Sequence, residues 1–285
     1  MQQDRRLSGS AVPGDPVADQ LLQASRREAG WLSGFAGLRH LGLLVALLGA
    51  WELWSRFNLD VSSRALLPPP SAIGLAAYEL IVTGELFRHL FDSLKREMVA
   101  FGWASLAIPL GIVMGWFKPI EQQVDPMMEM LRPIPPIAWI PLSILWFGIG
   151  DTQNQFIIFL GIFFPILINT ITGVKGIESN LIRAARCLGA GEFAVIRRVV
   201  WRAALPQILT GIRVGLGVGW MALVAAELVG ANSGLGFLIN DARTVLRTDI
   251  VIVGMATIGL VGLILDRIIR VVARRFLPWW GAAGR

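Results

Sequence analysis

Six apolar segments constrain this chain more than any other feature. They run from about Leu38 to Phe57, Met98 to Phe117, Ile134 to Gly150, Phe156 to Val174, Ile208 to Val229 and Ile250 to Ile269. Each approaches the roughly 20 residues a helix needs to cross the hydrocarbon of a bilayer. Of the 285 residues 54% are hydrophobic and 16% charged, with a mean hydropathy of +0.61, whereas a soluble domain is about one-quarter charged. A spanning backbone must satisfy its own hydrogen bonds, so the expectation is an all-α polytopic membrane protein with six transmembrane helices. The third segment is short and carries Pro133, Pro135, Pro136 and Pro141, which makes its helix irregular. Two readings of that cluster stay open: a kinked packing element, or freed backbone lining a cavity.

The basic residues set the orientation. Of 26, 23 are arginine, and the three lysines are Lys95, Lys118 and Lys175. With both termini inside, nineteen fall on the cytoplasmic side and seven outside, which places both termini in the cytoplasm. The outer seven include Lys95 and Arg96, whose stems can snorkel beside Glu97. A basic excess in such a chain reports membrane topology, not nucleic-acid binding. One cysteine, Cys187, and two distant histidines, His40 and His89, argue against a disulfide framework or a metal site. There is no Gly-Lys-Ser/Thr, HExxH or GxSxG, so neither a phosphate loop nor a recognisable catalytic constellation is expected.

Outside the spans, residues 1–37 read as a cytoplasmic tail, with Val17–Ala29 as a possible surface helix, and 277–285 as a second tail. Residues 38–276 form the transmembrane domain. The outer loop 58–97 holds Leu67-Pro68-Pro69-Pro70 ahead of Ser71–Ile81, read as an interfacial amphipathic helix. The inner loop 175–206 reads as two short helices, Glu178–Leu188 and Glu192–Arg202, joined at Gly189. Small residues at Ala184, Ala185, Gly189 and Ala190 permit close approach of a partner, and Leu181, Ile182 and Leu188 can fill an apolar cleft.

Within that inner loop, Arg183-Ala184-Ala185-Arg186-Cys187-Leu188-Gly189 resembles the EAA loop of bacterial ABC import permeases: Glu-Ala-Ala, three residues, then Gly. Ala203-Ala204-Leu205-Pro206 resembles the end of that motif in the nitrate, sulfonate, taurine and bicarbonate branch. The likeness extends from about Leu66 to Trp279, through Asp125-Pro126, Arg132-Pro133-Ile134-Pro135-Pro136, Leu145-Trp146-Phe147-Gly148-Ile149-Gly150, Val224-Ala225-Ala226-Glu227 and Gly234-Leu235-Gly236. Thr248-Asp249 and Pro278-Trp279 look most like the taurine and sulfonate members. Arg183 stands where the family has glutamate, and Arg202 replaces the first of two prolines; the glycine, the alanines and the second Leu-Pro remain.

The resemblance implies a type I ABC importer (MetI-like) permease fold in the inner membrane, working as a homodimer with two ABC ATPase subunits and an external substrate-binding protein. ATP and Mg would sit on the ATPase, leaving no cofactor in this chain. Loop 175–206 would then dock on the ATPase through Arg183, Ala184, Ala185, Leu188, Gly189 and Ala190. The implied substrate is a small anion, with taurine or an alkanesulfonate preferred over nitrate or bicarbonate. Candidate pathway residues are Pro135, Pro136 and Trp139 of span three, Gly215 and Gly219 of span five, and Glu227 near the end of span five. An acid at bilayer depth needs a partner or water, so Glu227 is expected to pair with a buried donor. Glu52, beside Trp51 and Trp54, reads as interfacial. A rival reading is a self-contained carrier driven by an ion gradient through Glu52 or Glu227, although no matching pair of broken helices supports it.

Overall fold

The computed structural model describes residues 42–43, 45–57, 60 and 66–276. The expected tails, the surface helix Val17–Ala29 and the start of the first span lie outside the described residues. The chain divides into two compact units, 1–71 and 72–285. In the first, helix α1 (residues 45–57) covers the described part of the first expected span. Glu52 of α1 accepts hydrogen bonds from the Ser71 backbone N–H at 3.0 Å, the Ser71 hydroxyl at 2.8 Å and Arg56 Nε at 2.5 Å. Ser71 is the second residue of helix α2 (Pro70–Val82), the rest of which lies in the second unit. At 13 residues, α2 is about 20 Å long, too short to cross a bilayer. It is not amphipathic as expected, because its exposed side includes Leu75, Tyr78, Ile81 and Val82.

The described part of the second unit folds as helices throughout. Helices α3 (Glu85–Ala104) and α4 (Ala107–Trp116) together form a 32-residue candidate span. The second span therefore begins near Glu85, not Met98. Hydropathy misses its first half because polar residues there point into the protein. Helix α5 (Lys118–Leu131) occupies what the sequence suggested was a cytoplasmic loop. After it come a 3₁₀ turn (Pro136–Trp139) and α6 (Ile140–Phe147), and this pair is bent from α5 by 82°. The expected third span is thus one arm of a broken element, and the proline cluster makes the bend.

Next follow α7 (Asp151–Lys175), α8 (Ser179–Cys187), α9 (Glu192–Val195), a π turn (Ile196–Val200) and α10 (Trp201–Gly230). Helices α11 (Leu235–Thr244) and α12 (Thr248–Phe276) complete the described chain. The fifth span starts well before Ile208, since Glu192–Gly230 is one continuous 39-residue helical element. Among the described residues four elements are long and apolar enough to cross a membrane, or five if the bent pair counts as one.

Half of the most apolar stretch of α7 is buried, against 17% for α12, so α7 is the central helix and α12 the one left most open to lipid. Its main neighbour is α10, and glycines set their approach. A Cβ at Gly211 would lie 2.8 Å from Asn169 Cβ, one at Gly215 3.0 Å from the Ile162 carbonyl, and one at Gly219 2.4 Å from Ile162 Cγ1. Residues four apart share a helix face, so these three make a stripe along which the two backbones nearly touch. Gly217 lies off the stripe with nothing near its Cβ position. Gly219→Leu should therefore destabilise the protein by about 1–3 kcal/mol through overpacking, while Gly217→Ala should leave it unchanged or slightly firmer. Thermal unfolding of the two detergent-solubilised variants checks this; equal melting would refute the stripe.

Candidate functional site

Three features of the second unit bear on function. The first is a cavity of about 310 Å³ walled by Arg132, Pro136 and Trp139 on one side and by Gly161, Pro165 and Asn169 of α7 on the other. Val214 and Val218 of α10 close it. A smaller cavity of about 120 Å³ adjoins it, sharing Arg132, Phe164 and Ile168 and adding Asp125 and Glu129 of α5. An ion pair between Glu121 and Lys175 ties the start of α5 to the end of α7. The two helices therefore run in opposite directions, and Arg132 comes to lie beside Phe164 and Asn169, near the middle of the 25-residue α7. That corrects its expected place in a cytoplasmic loop: α5 climbs beside α7 and carries Arg132 to the depth of a spanning helix. The Arg132 side chain has no hydrogen bond or ion pair among the described residues. Trp139 is held by edge-on packing against Phe156, at 6.5 Å between ring centroids.

The second feature is a buried polar hub. Helix α3 presents His89, Ser93 and Arg96, spaced i, i+4, i+7 on one face, to the turn between α10 and α11. Arg96 donates to Glu227 at 2.7 Å, to Asp151 at 2.7 Å, and to the carbonyl and hydroxyl of Ser233 at 2.7 and 2.9 Å. The Ser93 hydroxyl lies 2.9 Å from both Glu227 oxygens and accepts from the Leu235 N–H. His89 Nδ1 accepts from the Gly234 N–H at 3.0 Å, and Glu227 accepts from the Gly236 N–H at 2.9 Å. Gly234 is obligatory, with φ at +112° and a Cβ position 2.3 Å from Glu227 Oε1. The buried donor anticipated for Glu227 is thus Arg96. That arginine does not snorkel outward: it is 4% exposed, because buried Glu227 and the Ser233 carbonyl hold it inside, while its other partner, Asp151, is exposed.

The third feature is the hairpin of α8 and α9. Gly189 turns it with φ at +81° and open space around its Cβ position. Arg186 and Glu192 pair across the turn at 2.7 Å, and Trp116 Nε1 donates to Glu192 at 3.2 Å. Its base is fixed by Val195 and Val200, both fully buried with Val174, Ala204 and Ile208. Its outer side leaves Leu181, Leu188 and Phe193 exposed, Leu188 at 89%. Arg183 is exposed and donates to Asn180 at 2.7 Å. Ala185 and Ala190 pack partly against the base, and Ala184 is exposed.

Of the residues singled out for the pathway, Pro136 and Trp139 line the cavity. Pro135 caps the turn that carries them. Gly215 and Gly219 face α7, and Glu227 sits in the hub. Arg132 and Asn169 were missed as cavity residues, and His89, Ser93 and Arg96 as hub residues. The shared spacing of the last three was the available signal.

Residues 107–278 match the family of binding-protein-dependent transport system inner membrane components. That is more than half of the chain. The chain belongs to this family. The permease is 41% identical over 247 residues to the taurine transport system permease protein TauC of Escherichia coli K12, covering 85% of this chain and 89% of TauC. It is 39% identical over 255 residues to the putative aliphatic sulfonates transport permease protein SsuC of Bacillus subtilis, covering 89% and 90%. A chain of the inward-facing MetNI methionine ABC transporter superposes with a TM-score of 0.55 at 22% identity, covering 67% of the permease and 97% of that chain. The permease therefore has the MetI-type fold and is a subunit of an ABC importer, not a secondary carrier. It is an inner-membrane component that works with an ATPase and a substrate-binding protein.

Removing one member of the hub strands its partner in a dry site. Arg96→Ala should cost about 3–5 kcal/mol, and the pair Arg96→Met with Glu227→Leu should cost less than Arg96→Ala alone. A double-mutant cycle on thermal unfolding measures this; additive losses would mean that the two charges do not depend on one another.

Proposed function

We propose that the permease forms the membrane pathway of an importer for a small anion, taurine or an alkanesulfonate in preference to nitrate or bicarbonate. The relatives TauC and SsuC support this, and so does the cavity with Arg132 on its wall. Two copies form a homodimer with Pro136, Trp139 and the α7–α10 pair toward its axis, and each copy meets one ATPase subunit. ATP and Mg²⁺ sit on the ATPase. The binding protein delivers substrate on the side away from the hairpin, and closure of the ATPases moves the hairpins to alternate access.

The observation that carries the coupling role is the hairpin, a tip of exposed Leu181, Leu188 and Phe193 on a base buried with α10. Large apolar side chains held out at a rigid turn suit a groove on a partner surface, with Ala184 and Gly189 permitting close contact. Gly189→Trp and, without disturbing the turn, Leu188→Glu should leave the permease in the membrane and abolish copurification with the ATPase. Retained binding with normal transport would remove the hairpin from the interface.

Residues 1–37 and 277–285 are assigned as cytoplasmic tails of the transmembrane domain 38–276, with 175–206 as its coupling loop. The arginine excess on the hairpin side supports this orientation. A reporter that matures only inside the cell should give signal when fused after Arg285 and none when inserted near Thr152; the reverse pattern would invert the topology.

A further inference from the structure

Arg132 presents a physical problem that the permease reading leaves unsolved. A guanidinium at the depth of a spanning helix ordinarily has a carboxylate or carbonyl partner. Arg132 has none among the described residues, although other arginines at similar positions do: Arg96 holds Glu227 and Arg213 holds Asp266. What Arg132 faces is the cavity. Two more unpaired charges face the adjoining space. Asp125 and Glu129 stand on α5 seven and three residues before Arg132, the spacing of one helix face, and neither forms an ion pair among the described residues. All three lie around two adjacent cavities that share Phe164 and Ile168 in their walls, yet the carboxylates do not reach within 4.0 Å of Arg132.

Resting on the importer reading, we propose that this face of α5 forms a two-pole site for a small zwitterion, an aminosulfonate in extended form. Its sulfonate sits on Arg132, and its ammonium points toward Glu129 and Asp125. The planar guanidinium fork matches two oxygens of a sulfonate. Asn169 stands on the facing wall of the same cavity; its Nδ2 is engaged by the Pro165 carbonyl at 2.8 Å, which holds the amide in place. Pro136 and Trp139 supply an apolar wall for the methylene chain. The larger cavity, at about 310 Å³, is at the small end of the range of ligand sites, which suits a few-atom substrate. A simple anion such as nitrate would satisfy Arg132 and leave two carboxylates facing the same space. A zwitterion answers both poles with no net charge added at that depth.

The test uses the full permease–ATPase complex in lipid nanodiscs without binding protein, titrated calorimetrically with taurine and with ethanesulfonate, which lacks the ammonium. The unmodified complex should bind taurine about tenfold more tightly than ethanesulfonate. Arg132→Gln should weaken both about tenfold, and Arg132→Lys, which keeps the charge and loses the fork, should weaken both by less. The double variant Asp125→Asn, Glu129→Gln should weaken taurine alone and erase the preference. Copurification with the ATPase verifies that each variant is folded. Equal binding of the two probes by the unmodified complex, or a taurine preference that survives the double variant, overturns the site. ATP-driven taurine uptake by the complete importer is measured in parallel. Charge-selective, Arg132-dependent binding without uptake would uphold the site and sink the reading of taurine as the imported cargo. Uptake with no such binding pattern would do the reverse.

Discussion

The contact between Arg96 and Glu227 is the one on which the described part of the second unit rests. The turn from α10 into α11 brings the N–H groups of Gly234, Leu235 and Gly236 into a place without water, where each must find an acceptor. His89, Ser93 and Glu227 are those acceptors. Glu227 can serve only if its charge is balanced, and Arg96 balances it while also reaching Asp151 at the first turn of α7. One guanidinium thus joins α3, α7, α10 and the turn before α11. The close fit extends a residue further: Glu97 is fully buried, and a Cβ on Gly219 would lie 2.9 Å from its Oε1.

The two charged regions of the permease obey opposite rules. In the hub Arg96 and Glu227 are paired and buried, with Asp151 reaching Arg96 from the exposed side, which makes it a fixed joint. Around the cavity, charges of both signs lie within one helix face and stay unmatched. A site meant to receive and release a charged cargo cannot satisfy itself beforehand, because a guanidinium already locked to a carboxylate has little to offer an incoming sulfonate. The bend between α5 and α6 makes this possible. The prolines from Pro133 to Pro136 end one helix and start another at a steep angle, so the chain opens a space beside Arg132 instead of filling it.

Much of the fold was legible in the sequence, because long apolar runs and the Gly189 hairpin are local signals. The fourth and sixth spans fall within the observed helices, and the turn glycine sits in the left-handed conformation that its role requires. What stayed hidden were helices with many polar residues. The part of α3 before Met98 reads as a loop by hydropathy, since its inward residues include His89, Ser93, Arg96 and Glu97. Helix α5 was missed because Lys118, Glu121, Asp125 and Glu129 lower its hydropathy, although Val124 and Met128 pack against the core. The site suffered most from this. Pro136 and Trp139, singled out with the proline cluster, line the cavity, whereas Arg132, counted as a topology charge, comes beside them only through the antiparallel course of α5 and α7. Gly215 and Gly219, named as pathway candidates, face the backbone and side chains of α7.

The unbroken course from Glu192 to Gly230 gives the permease a lever. Thirty-nine residues of helical rise span about 58 Å, from the exposed hairpin tip at one end to the Glu227 joint near the other. No loop interrupts that shaft to absorb displacement; its irregularities are the π turn at Ile196–Val200, beside the buried base of the hairpin, and Pro206 inside the helix. Along its middle the shaft is meshed with α7 through the glycine stripe, so a tilt imposed at the tip would carry α7 with it. Motion would then be taken up where α7 meets the bent α5–α6 arm, and that seam is the wall of the cavity containing Arg132.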